Sequence, residues 1–404
     1  MKVICDRGAL MDAINLVAAV VPARTPTPAL SCVKLVARKV GGAGELTLSA
    51  TDAETSLHIA VTHVDVAEPG QVAVPADKLR QIVSAEDNEP TLTLQLEGDQ
   101  LHIKGTNAFF KVFAYPAADF PPLPDFAQSV SGSGPDAAKS VFSHTAGGML
   151  DLIARTTFAT ARETSRYAIN GVLLKRDGKK LEMVATDGRR LALSRSSLAG
   201  GKGEASASIS CIIPTKALNI FSKLARDPAE NVRVAVADSR IFFGFDTGTP
   251  AGGKDPDKAH APRAVLTSTL VEGSFPPYED VIPKDQDKKI VADRDELTSA
   301  VRKASVLTNE ESRGVRMAFT SGDKRLTLSS RAPEMGESEI NVGLSSYEGG
   351  DIEISFNPGF ITDVLKVVPD QDVIVELKAP NKPGLIRSQS NDFLYVVMPV
   401  NLPQ

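Results

Sequence analysis

Apolar and polar residues alternate in three separate segments of the chain, and each segment predicts two β-strands joined by a turn. The segments cover residues 30–52, 169–187 and 315–330. The first two end in Ala-Thr-Asp, and the third ends in Leu-Thr-Leu-Ser-Ser, which is close to the Leu-Thr-Leu-Ser of the first. Asp52 and Asp187 are separated by about one third of the 404 residues, so the pattern predicts a threefold internal repeat.

An apolar stripe with helical period precedes each strand pair, over residues 7–21, 145–160 and 293–307. The positions expected to be buried in the first and third helices are Leu10, Ile14, Val17 and Val21, and Leu297, Ala300, Val301 and Ala304. These helices recur in the same order as the strands, which strengthens the prediction of a repeat.

An apolar strand and a second short helix follow each strand pair, at residues 72–79, 211–218 and 354–361. Each contains a proline at or near the first helical turn, where the missing N–H is tolerated. The chain therefore predicts an α+β fold of three similar domains, at residues 1–126, 139–276 and 283–404. Residues 246–262 are rich in Gly, Pro, Lys and Asp and predict a loop inserted within the second domain.

Composition excludes several classes of protein. No apolar h-region follows the charge of the opening segment Met-Lys-Val-Ile-Cys-Asp-Arg, so we expect no signal peptide. The longest apolar run, residues 16–21, is too short to span a membrane. Cys5, Cys32 and Cys211 are scattered, which predicts reduced thiols rather than a disulfide framework or a zinc site. We therefore expect a cytoplasmic protein without a metal or other cofactor.

Cations line the predicted outer faces of several helices. In residues 215–226, Leu218, Phe221 and Leu224 fall on one face, and the opposite face carries Lys216, Asn219, Lys223 and Arg226. Other cations in similar positions are Lys78, Arg302, and the pair Arg155 and Arg162. A solvated surface is the alternative explanation for any one stripe. The recurrence predicts a basic surface that attracts the DNA backbone, although the net charge of the chain is −5.

Five sequence blocks resemble the bacterial DNA polymerase III β subunit family, the β sliding clamps. They are RYAING at 166–171, ATDGRRLAL at 185–193, FPPYEDVIPK at 275–284, LTNEESRGVR at 307–316 and YVVMPV at 395–400. The blocks occur in the order that the family has and are distributed over most of the chain.

The resemblance implies a head-to-tail ring dimer of three clamp domains per chain, with helices on the inner face and antiparallel sheets outside. Edge strands of the first and third domains would pair across the dimer interface. Such a ring encircles duplex DNA without sequence specificity and has no enzymatic activity. Its implied partners are DNA polymerase subunits, the clamp loader and repair proteins, each carrying a short linear motif.

The resemblance also assigns site residues. The implied peptide pocket between the second and third domains consists of Ile169, Thr186, Gly188, Arg189, Arg190, Leu191, Pro276, Val281, Asn357, Phe360, Val396, Met398 and Pro399. The implied DNA contacts are Arg24, Lys78 and Tyr167. The helix faces add Lys216, Lys223 and Arg302 as DNA-binding candidates, independently of the resemblance.

Some positions depart from the pattern of the family. Asp280 stands where the best-known members are basic, Ser312 replaces an aromatic residue, and Asn401 replaces a basic residue. Glu163 and Ala168 occupy positions of polar or aromatic DNA contacts in some members. These departures bear on the peptide preference and on the strength of DNA contact.

The sequence leaves two other functions open. An enzyme could use Asp187 with Arg189 and Arg190 as a phosphate site, but no Walker loop, nucleophile elbow or HExxH motif is present. Thr-Asp recurs at residues 51–52 without the arginines, which favours a structural turn for Asp187. A clamp paralogue that serves as a repair or accessory scaffold is the second alternative, and complementation of clamp-depleted cells separates it from a replicative clamp.

Overall fold

The computed structural model describes residues 1–40, 42–161, 168–198, 208–246, 262–308, 314–332 and 335–401. These residues form two compact units. The first unit contains Met1–Leu150 and Lys216–Leu270, and the second contains Asp151–Gly200, Ser208–Thr215 and Val271–Gln404. The middle sequence repeat contributes to both units, since its strands are shared between two large sheets.

Seven α-helices lie in the described residues: α1 Arg7–Ala18, α2 Ala76–Ala85, α3 Phe126–Val130, α4 Ala146–Ala154, α5 Thr215–Leu224, α6 Arg294–Ala304 and α7 Pro358–Leu365. Short 3-10 turns occupy Pro28–Ser31, Ala117–Asp119, Thr157–Ala159, Tyr278–Asp280 and Ser305–Leu307.

The described strands are β1 Lys2–Asp6, β2 Cys32–Val40, β3 Ala43–Thr51, β4 Thr55–Glu68, β5 Gly70–Pro75, β6 Thr91–Glu97, β7 Gln100–Lys104, β8 Phe109–Phe113, β9 Ser140–Thr145, β10 Gly171–Asp177, β11 Lys180–Thr186, β12 Arg190–Ser197, β13 Ile209–Pro214, β14 Asn231–Val236, β15 Arg240–Phe245, β16 Ala264–Thr269, β17 Lys288–Asp293, β18 Val315–Thr320, β19 Arg325–Ala332, β20 Gly336–Gly343, β21 Ser346–Glu348, β22 Ile352–Phe356, β23 Asp372–Leu377, β24 Gly384–Arg387 and β25 Phe393–Val397. All their pairings are antiparallel, and the mixture of helices and sheets confirms the predicted α+β class.

The first unit is built on one twelve-stranded sheet with the main order β8-β7-β6-β1-β4-β16-β15-β14-β9. Strands β2, β3 and β5 join it through β3, which pairs with β4. The long strand β4 also pairs with β1 and β16, where Leu57 lies opposite Leu266. Its alternating apolar residues are buried, as expected for a strand with one covered face.

The second unit contains a nine-stranded sheet, β13-β10-β11-β12-β25-β24-β23-β17-β21, and a four-stranded sheet, β20-β19-β18-β22. Strands β12 and β25 are far apart in the chain but pair directly, with Arg190 opposite Val397 and Leu191 opposite Val396. This pairing brings the 185–193 and 395–400 sequence blocks together.

The three predicted strand pairs are confirmed as the hairpins β2–β3, β10–β11 and β18–β19. The predicted helix faces are also confirmed: Leu297, Ala300, Val301 and Ala304 are the buried residues of α6. In α5, Leu218, Phe221 and Leu224 are buried, and the cations on the opposite face are exposed.

Four helix ends were predicted wrongly. Helix α1 ends at Ala18, so Val21 lies beyond it, and α4 ends at Ala154 rather than at residue 160. Helix α5 ends at Leu224, so Arg226 lies beyond it, and α6 ends at Ala304, where a 3-10 turn follows to Leu307. Arg155 therefore follows α4 rather than lying on it, and forms an ion pair with Asp392 (Nη1–Oδ2 3.2 Å). Arg162, the other member of the predicted pair, lies outside the described residues. Local periodicity could not indicate a partner so distant in the chain.

Cys5, Cys32 and Cys211 are buried and form no disulfide. Within the described ranges, no cluster of three or more His, Cys, Asp or Glu side chains is arranged to hold a metal ion. A search of the same residues found no helix long and apolar enough to cross a membrane.

Candidate functional site

The segment Thr-Asp-Gly-Arg-Arg forms a tight turn between β11 and β12. Thr186 Oγ1 donates to the Arg190 carbonyl oxygen (2.6 Å) and accepts from the Gly188 N–H (3.1 Å). Asp187 Oδ1 accepts from the backbone N–H groups of Arg189 and Arg190, both at 3.0 Å. Gly188 has φ +84°, a left-handed conformation that glycine adopts without steric cost.

The first unit contains the same turn at residues 51–55. Thr51 Oγ1 donates to the Thr55 carbonyl (3.0 Å), and Asp52 Oδ1 accepts from the N–H groups of Glu54 (3.0 Å) and Thr55 (2.6 Å). Ala53 has φ +80° and occupies the position of the glycine. The recurrence confirms the interpretation of Asp187 as a structural turn residue, because its Oδ1 is used in the same way as that of Asp52.

Arg190 is the centre of a polar network in the second unit. Its guanidinium donates to Asp187 Oδ2 (2.9 Å), Asp363 Oδ2 (2.9 Å) and the Phe158 carbonyl (2.7 Å). The guanidinium carbon lies 4.4 Å from the Phe360 ring centroid. The side chain is only 10% exposed, so its charge is balanced inside the protein by two carboxylates.

These contacts change the ionisation of neighbouring groups. Burial would raise the pKa of Asp363, but the hydrogen bonds from Arg190 and Lys366 outweigh it and lower that pKa. Burial raises the pKa of the Tyr395 hydroxyl, which donates to the Phe360 carbonyl (3.0 Å). Near neutral pH the Asp363 carboxyl is therefore ionised and the Tyr395 hydroxyl keeps its proton, so the hydrogen bonds of the network do not change with small changes in pH.

An apolar surface lies beside this network. Leu191 and Val396 belong to a buried cluster that also contains Leu173, Val184, Leu193, Ile212, Leu385, Ala168 and Tyr278. The Met398 N–H donates to the Arg189 carbonyl (2.9 Å), which extends the β12–β25 pairing past the end of both strands. Met398 is 39% exposed and Val281 is 47% exposed. A buried apolar floor thus has exposed apolar side chains nearby.

The remaining predicted pocket residues all lie in the second unit. Ile169 and Thr186 are buried, and Pro276, Phe360 and Pro399 are half-buried. Asn357 caps α7, since its Oδ1 accepts from the Gly359 N–H (2.9 Å). Pro276 and Val281 flank Tyr278, which enters the apolar cluster.

Sequence reasoning missed three residues of the network: Phe158, Asp363 and Tyr395. Asp363 lies 173 positions from Arg190, and neither residue carries a local pattern that indicates the pairing. Tyr395 stands inside the YVVMPV block, so the resemblance brought attention to its segment but not to its hydroxyl.

The predicted DNA-binding residues lie in different elements. Arg24 is exposed in the loop after α1, Lys78 in α2, Lys223 in α5 and Arg302 in α6. Lys216 is exposed too, but it forms an ion pair with Asp52 and donates to the Val20 carbonyl (3.2 Å). Its charge is therefore already balanced by Asp52. The sequence of residues 215–226 could not predict this ion pair, because Asp52 lies in another repeat.

Several other residues singled out from the sequence lie outside the described residues: Tyr167, Glu163, Ser312 and all but the ends of the 246–262 loop. Asp280 and Asn401 are exposed, and Ala168 is buried in the apolar cluster. The departures at Asp280 and Asn401 thus stand where a partner could reach them.

Comparisons with known proteins cover the whole chain. Family models of the DNA polymerase III beta subunit match residues 1–124 (N-terminal domain), 146–277 (central domain) and 279–401 (C-terminal domain). The beta sliding clamp of Pseudomonas aeruginosa is 32% identical over 398 residues, which is 98% of this chain and 99% of the relative. The beta sliding clamp of Escherichia coli K12 is 30% identical over 403 residues, 100% of both chains.

Solved structures give the same result. The crystal structure of a DnaN sliding clamp from Pseudomonas aeruginosa bound to griselimycin has a TM-score of 0.86 and 33% identity, with both chains fully covered. The sliding clamp of Bacillus subtilis has a TM-score of 0.85 at 23% identity, a likeness of fold.

The full-length relatives are sliding clamps, processivity factors of DNA replication that have no catalytic activity of their own. The chain belongs to the DNA polymerase III β subunit family, as its sequence blocks predict.

Proposed function

We propose that this protein encircles duplex DNA as a ring dimer and tethers polymerases and repair proteins through a peptide pocket in the second unit. The observation that carries the proposal is the surface at β12 and β25, where a buried apolar floor adjoins a rigid polar turn and exposed Met398. Residues 1–126, 139–276 and 283–404 would form three clamp domains with helices facing the DNA.

The peptide pocket would bind an extended segment of a partner. Leu191 and Val396 supply the apolar floor, and Met398 and Val281 supply adaptable apolar contacts at its margin. Exposed Arg189 would fix the register of the peptide with polar contacts, and Thr186, whose hydroxyl is bonded within the turn, would support this wall of the pocket. The other proposed wall residues are Ile169, Gly188, Arg190, Pro276, Asn357, Phe360 and Pro399.

Contact with DNA would use the exposed cations Arg24, Lys78, Lys223 and Arg302, together with Tyr167. Phosphate contacts of this kind attract DNA of any sequence and weaken as salt is added. Arg302 and Lys303 line a groove beside α7 with the hydroxyl groups of Thr298 and Ser299. Lys216 is proposed as a weaker contact, because Asp52 offsets its charge.

The dimer would form between two sheet edges. In the described residues β8 pairs only with β7, and its Phe109 and Phe113 are 49% and 71% exposed. Strand β20 pairs only with β19 within the same ranges and carries exposed Glu337 and Glu339. Pairing of β8 with β20 of a second copy would cover both edges head to tail and place Lys111 near acidic side chains.

Partner exchange at one pocket would let the clamp loader, polymerases and repair proteins use the clamp in turn. We propose a cytoplasmic, nucleoid-associated protein on this basis.

A paralogue that serves only as a repair scaffold would have the same fold and pocket. Replacement of the host's own clamp gene by this one separates the two, because a replicative clamp supports growth and a scaffold does not.

Fluorescence anisotropy with a labelled glutamine–leucine–phenylalanine-type peptide tests the pocket. We expect saturable binding by the wild type and at least about tenfold weaker binding by Met398→Ala, since an exposed apolar side chain that the bound peptide would cover is removed. Val40→Ala, on an exposed apolar residue of the first unit, is the matched control and should bind as the wild type does. Absence of binding by folded wild type would contradict the proposed pocket.

A further inference from the structure

Asp363 places each of its two carboxylate oxygens on a different cation. Oδ2 accepts from Arg190 Nη1 at 2.9 Å, and Oδ1 lies 3.1 Å from Lys366 Nζ. The two cations differ in environment, since the Arg190 side chain is 10% exposed and that of Lys366 is 57% exposed. The bond to Arg190 is therefore the shielded one, and the bond to Lys366 is largely screened by solvent.

Arg190 joins three segments that are separate in the chain. It bonds to Asp187 in the turn before β12, to the carbonyl of Phe158 and to Asp363 on α7. It also packs on the ring of Phe360, one helical turn before Asp363. Asp363 is thus the charged group through which α7 is held to the turn.

Helix α7 contributes Phe360 to the proposed peptide pocket, its capping residue is Asn357, and the turn contributes Thr186 to Leu191. The α7 wall and the 186–190 turn belong to different repeats, so side chains that reach across hold them in position. These contacts are Arg190 with Asp363, Arg190 with the Phe360 ring, and the hydrogen bond from the Tyr395 hydroxyl to the Phe360 carbonyl.

We propose that Asp363 is a positioning residue of the peptide pocket. It acts through Arg190 and fixes α7 against the turn before a partner peptide arrives, which lowers the ordering cost of binding. Asp363 itself need not touch the peptide. The proposal rests on the proposed function of the pocket and adds a residue that neither the motif blocks nor the pocket prediction contains.

A purely structural role would have a different signature. Loss of Asp363 would then lower the stability of the protein but leave the affinity of the folded fraction for peptide unchanged. Arg190 keeps Asp187 as a carboxylate partner when Asp363 is replaced, so we expect the variant proteins to fold.

The test is a comparison of Asp363→Asn with wild type by peptide anisotropy and by stopped-flow dissociation, after thermal unfolding has shown that both are folded. We expect Asp363→Asn to weaken binding by about tenfold, mainly through faster dissociation. Asp363→Glu keeps the charge and should retain more affinity. The matched control Lys366→Gln removes the other partner of the same carboxylate and should change affinity less than about twofold.

A double-mutant cycle tests whether Asp363 acts through Arg190. In an Arg190→Gln background, Asp363→Asn should cause no further loss of affinity. The proposal would be overturned if folded Asp363→Asn bound the peptide as tightly as wild type does. It would also be overturned if Asp363→Asn weakened peptide binding as much in the Arg190→Gln background as it does in the wild type. If Asp363→Asn does not fold, Asp363→Ser takes its place, and an affinity of that folded variant equal to wild type would overturn the proposal. If the wild type did not bind the peptide, the proposed pocket itself would be contradicted. That result is distinguishable from a failure of the Asp363 proposal, in which wild type and Asp363→Asn bind equally well.

Discussion

At the scale of single residues, the two Thr-Asp turns show which features of a turn follow from its own sequence and which depend on distant residues. Residues 53 and 188 both have a left-handed backbone, yet one is alanine and the other glycine. The repeated Thr-Asp dipeptide was enough to predict a turn and to assign Asp187 a structural role. The second carboxylate oxygen of Asp187 is bonded by Arg190 of the same turn, but that of Asp52 is bonded by Lys216, which is 164 positions away and could not be predicted.

Exchange of these two residues should have opposite effects on stability. A left-handed alanine costs about 1–2 kcal/mol, and the greater freedom of glycine in the unfolded chain offsets about 0.4–1 kcal/mol of that. We expect Ala53→Gly to stabilise the protein and Gly188→Ala to destabilise it, each by about 0.5–1 kcal/mol. A Cβ added at residue 188 would meet no atom within 4 Å. The change in unfolding free energy of Gly188→Ala therefore contains no steric clash and reports the backbone conformation. Chemical denaturation gives both values, and effects of equal sign would contradict the account.

The three thiols should be inert in the folded protein. Burial, assisted by the charge of Asp6 at Cys5, raises the pKa of Cys5 and of Cys211 to about 12, and burial also raises that of Cys32. Thiolate is the reactive form, so a disulfide reagent at pH 8 should modify none of them until the protein unfolds. Absorbance of the released thiol follows the reaction. Rapid modification of one cysteine in native protein would show that its surroundings differ from those described.

At the scale of elements, periodicity predicted the strand pairs and the buried faces of α1, α5 and α6. It did not predict where α1, α4, α5 and α6 end, because their last turns lack a decisive stop signal. It also could not predict ion pairs between distant segments, such as Arg155 with Asp392, which directly precedes β25, the strand that pairs with β12. Contacts of this kind hold the elements of the second unit in place.

The pairing of Asp392 predicts a pH-dependent contribution to stability. Burial would raise its pKa, but hydrogen bonds from Ser390 and Ser388 and the charge of Arg155 lower it. A carboxylate with a depressed folded pKa stabilises above its unfolded pKa, and that contribution is lost as pH falls through the folded pKa. We expect Asp392→Asn to be about 1 kcal/mol less stable than wild type at pH 7.

The difference between Asp392→Asn and wild type should shrink as the pH is lowered below about 4, the ordinary range of an aspartate pKa, and should be small near pH 2. Denaturant unfolding of both proteins across this range measures it. A difference that is independent of pH would mean that packing or hydrogen-bond geometry, rather than the charge of Asp392, explains the loss.

At the scale of the whole molecule, the repeat predicted three similar domains, and the sequence blocks predicted the family, which the comparisons show. The sharing of the middle repeat between two large sheets was not predictable, since hydrophobic patterns do not say which strands pair across repeats. The same limit applies to the proposed peptide pocket, which needs the β12–β25 pairing to bring its floor together.

The proposed dimer depends on the exposed aromatic residues of β8. Phe113→Asp places a charge where the second copy would pack and should raise the dimer dissociation constant at least about a hundredfold. Val40→Asp is the control, since Val40 is 52% exposed at the end of β2, a strand that pairs with β3 and β5 rather than with β8. Analytical ultracentrifugation gives the mass of each. Equal dimer stability in both variants would place the interface elsewhere.

Retention on closed circular DNA distinguishes a ring that encloses DNA from a protein that is held only by phosphate contacts. The protein would be loaded by its clamp loader onto a singly nicked plasmid, separated from free protein by gel filtration at raised salt, and analysed again after a restriction enzyme has linearised the plasmid. Topological enclosure predicts that the protein stays with the circle and is lost from the linear DNA, because weak phosphate contacts are screened by salt while a closed ring cannot leave a circle. Equal retention on circular and linear DNA, or equal loss from both, would contradict a sliding ring.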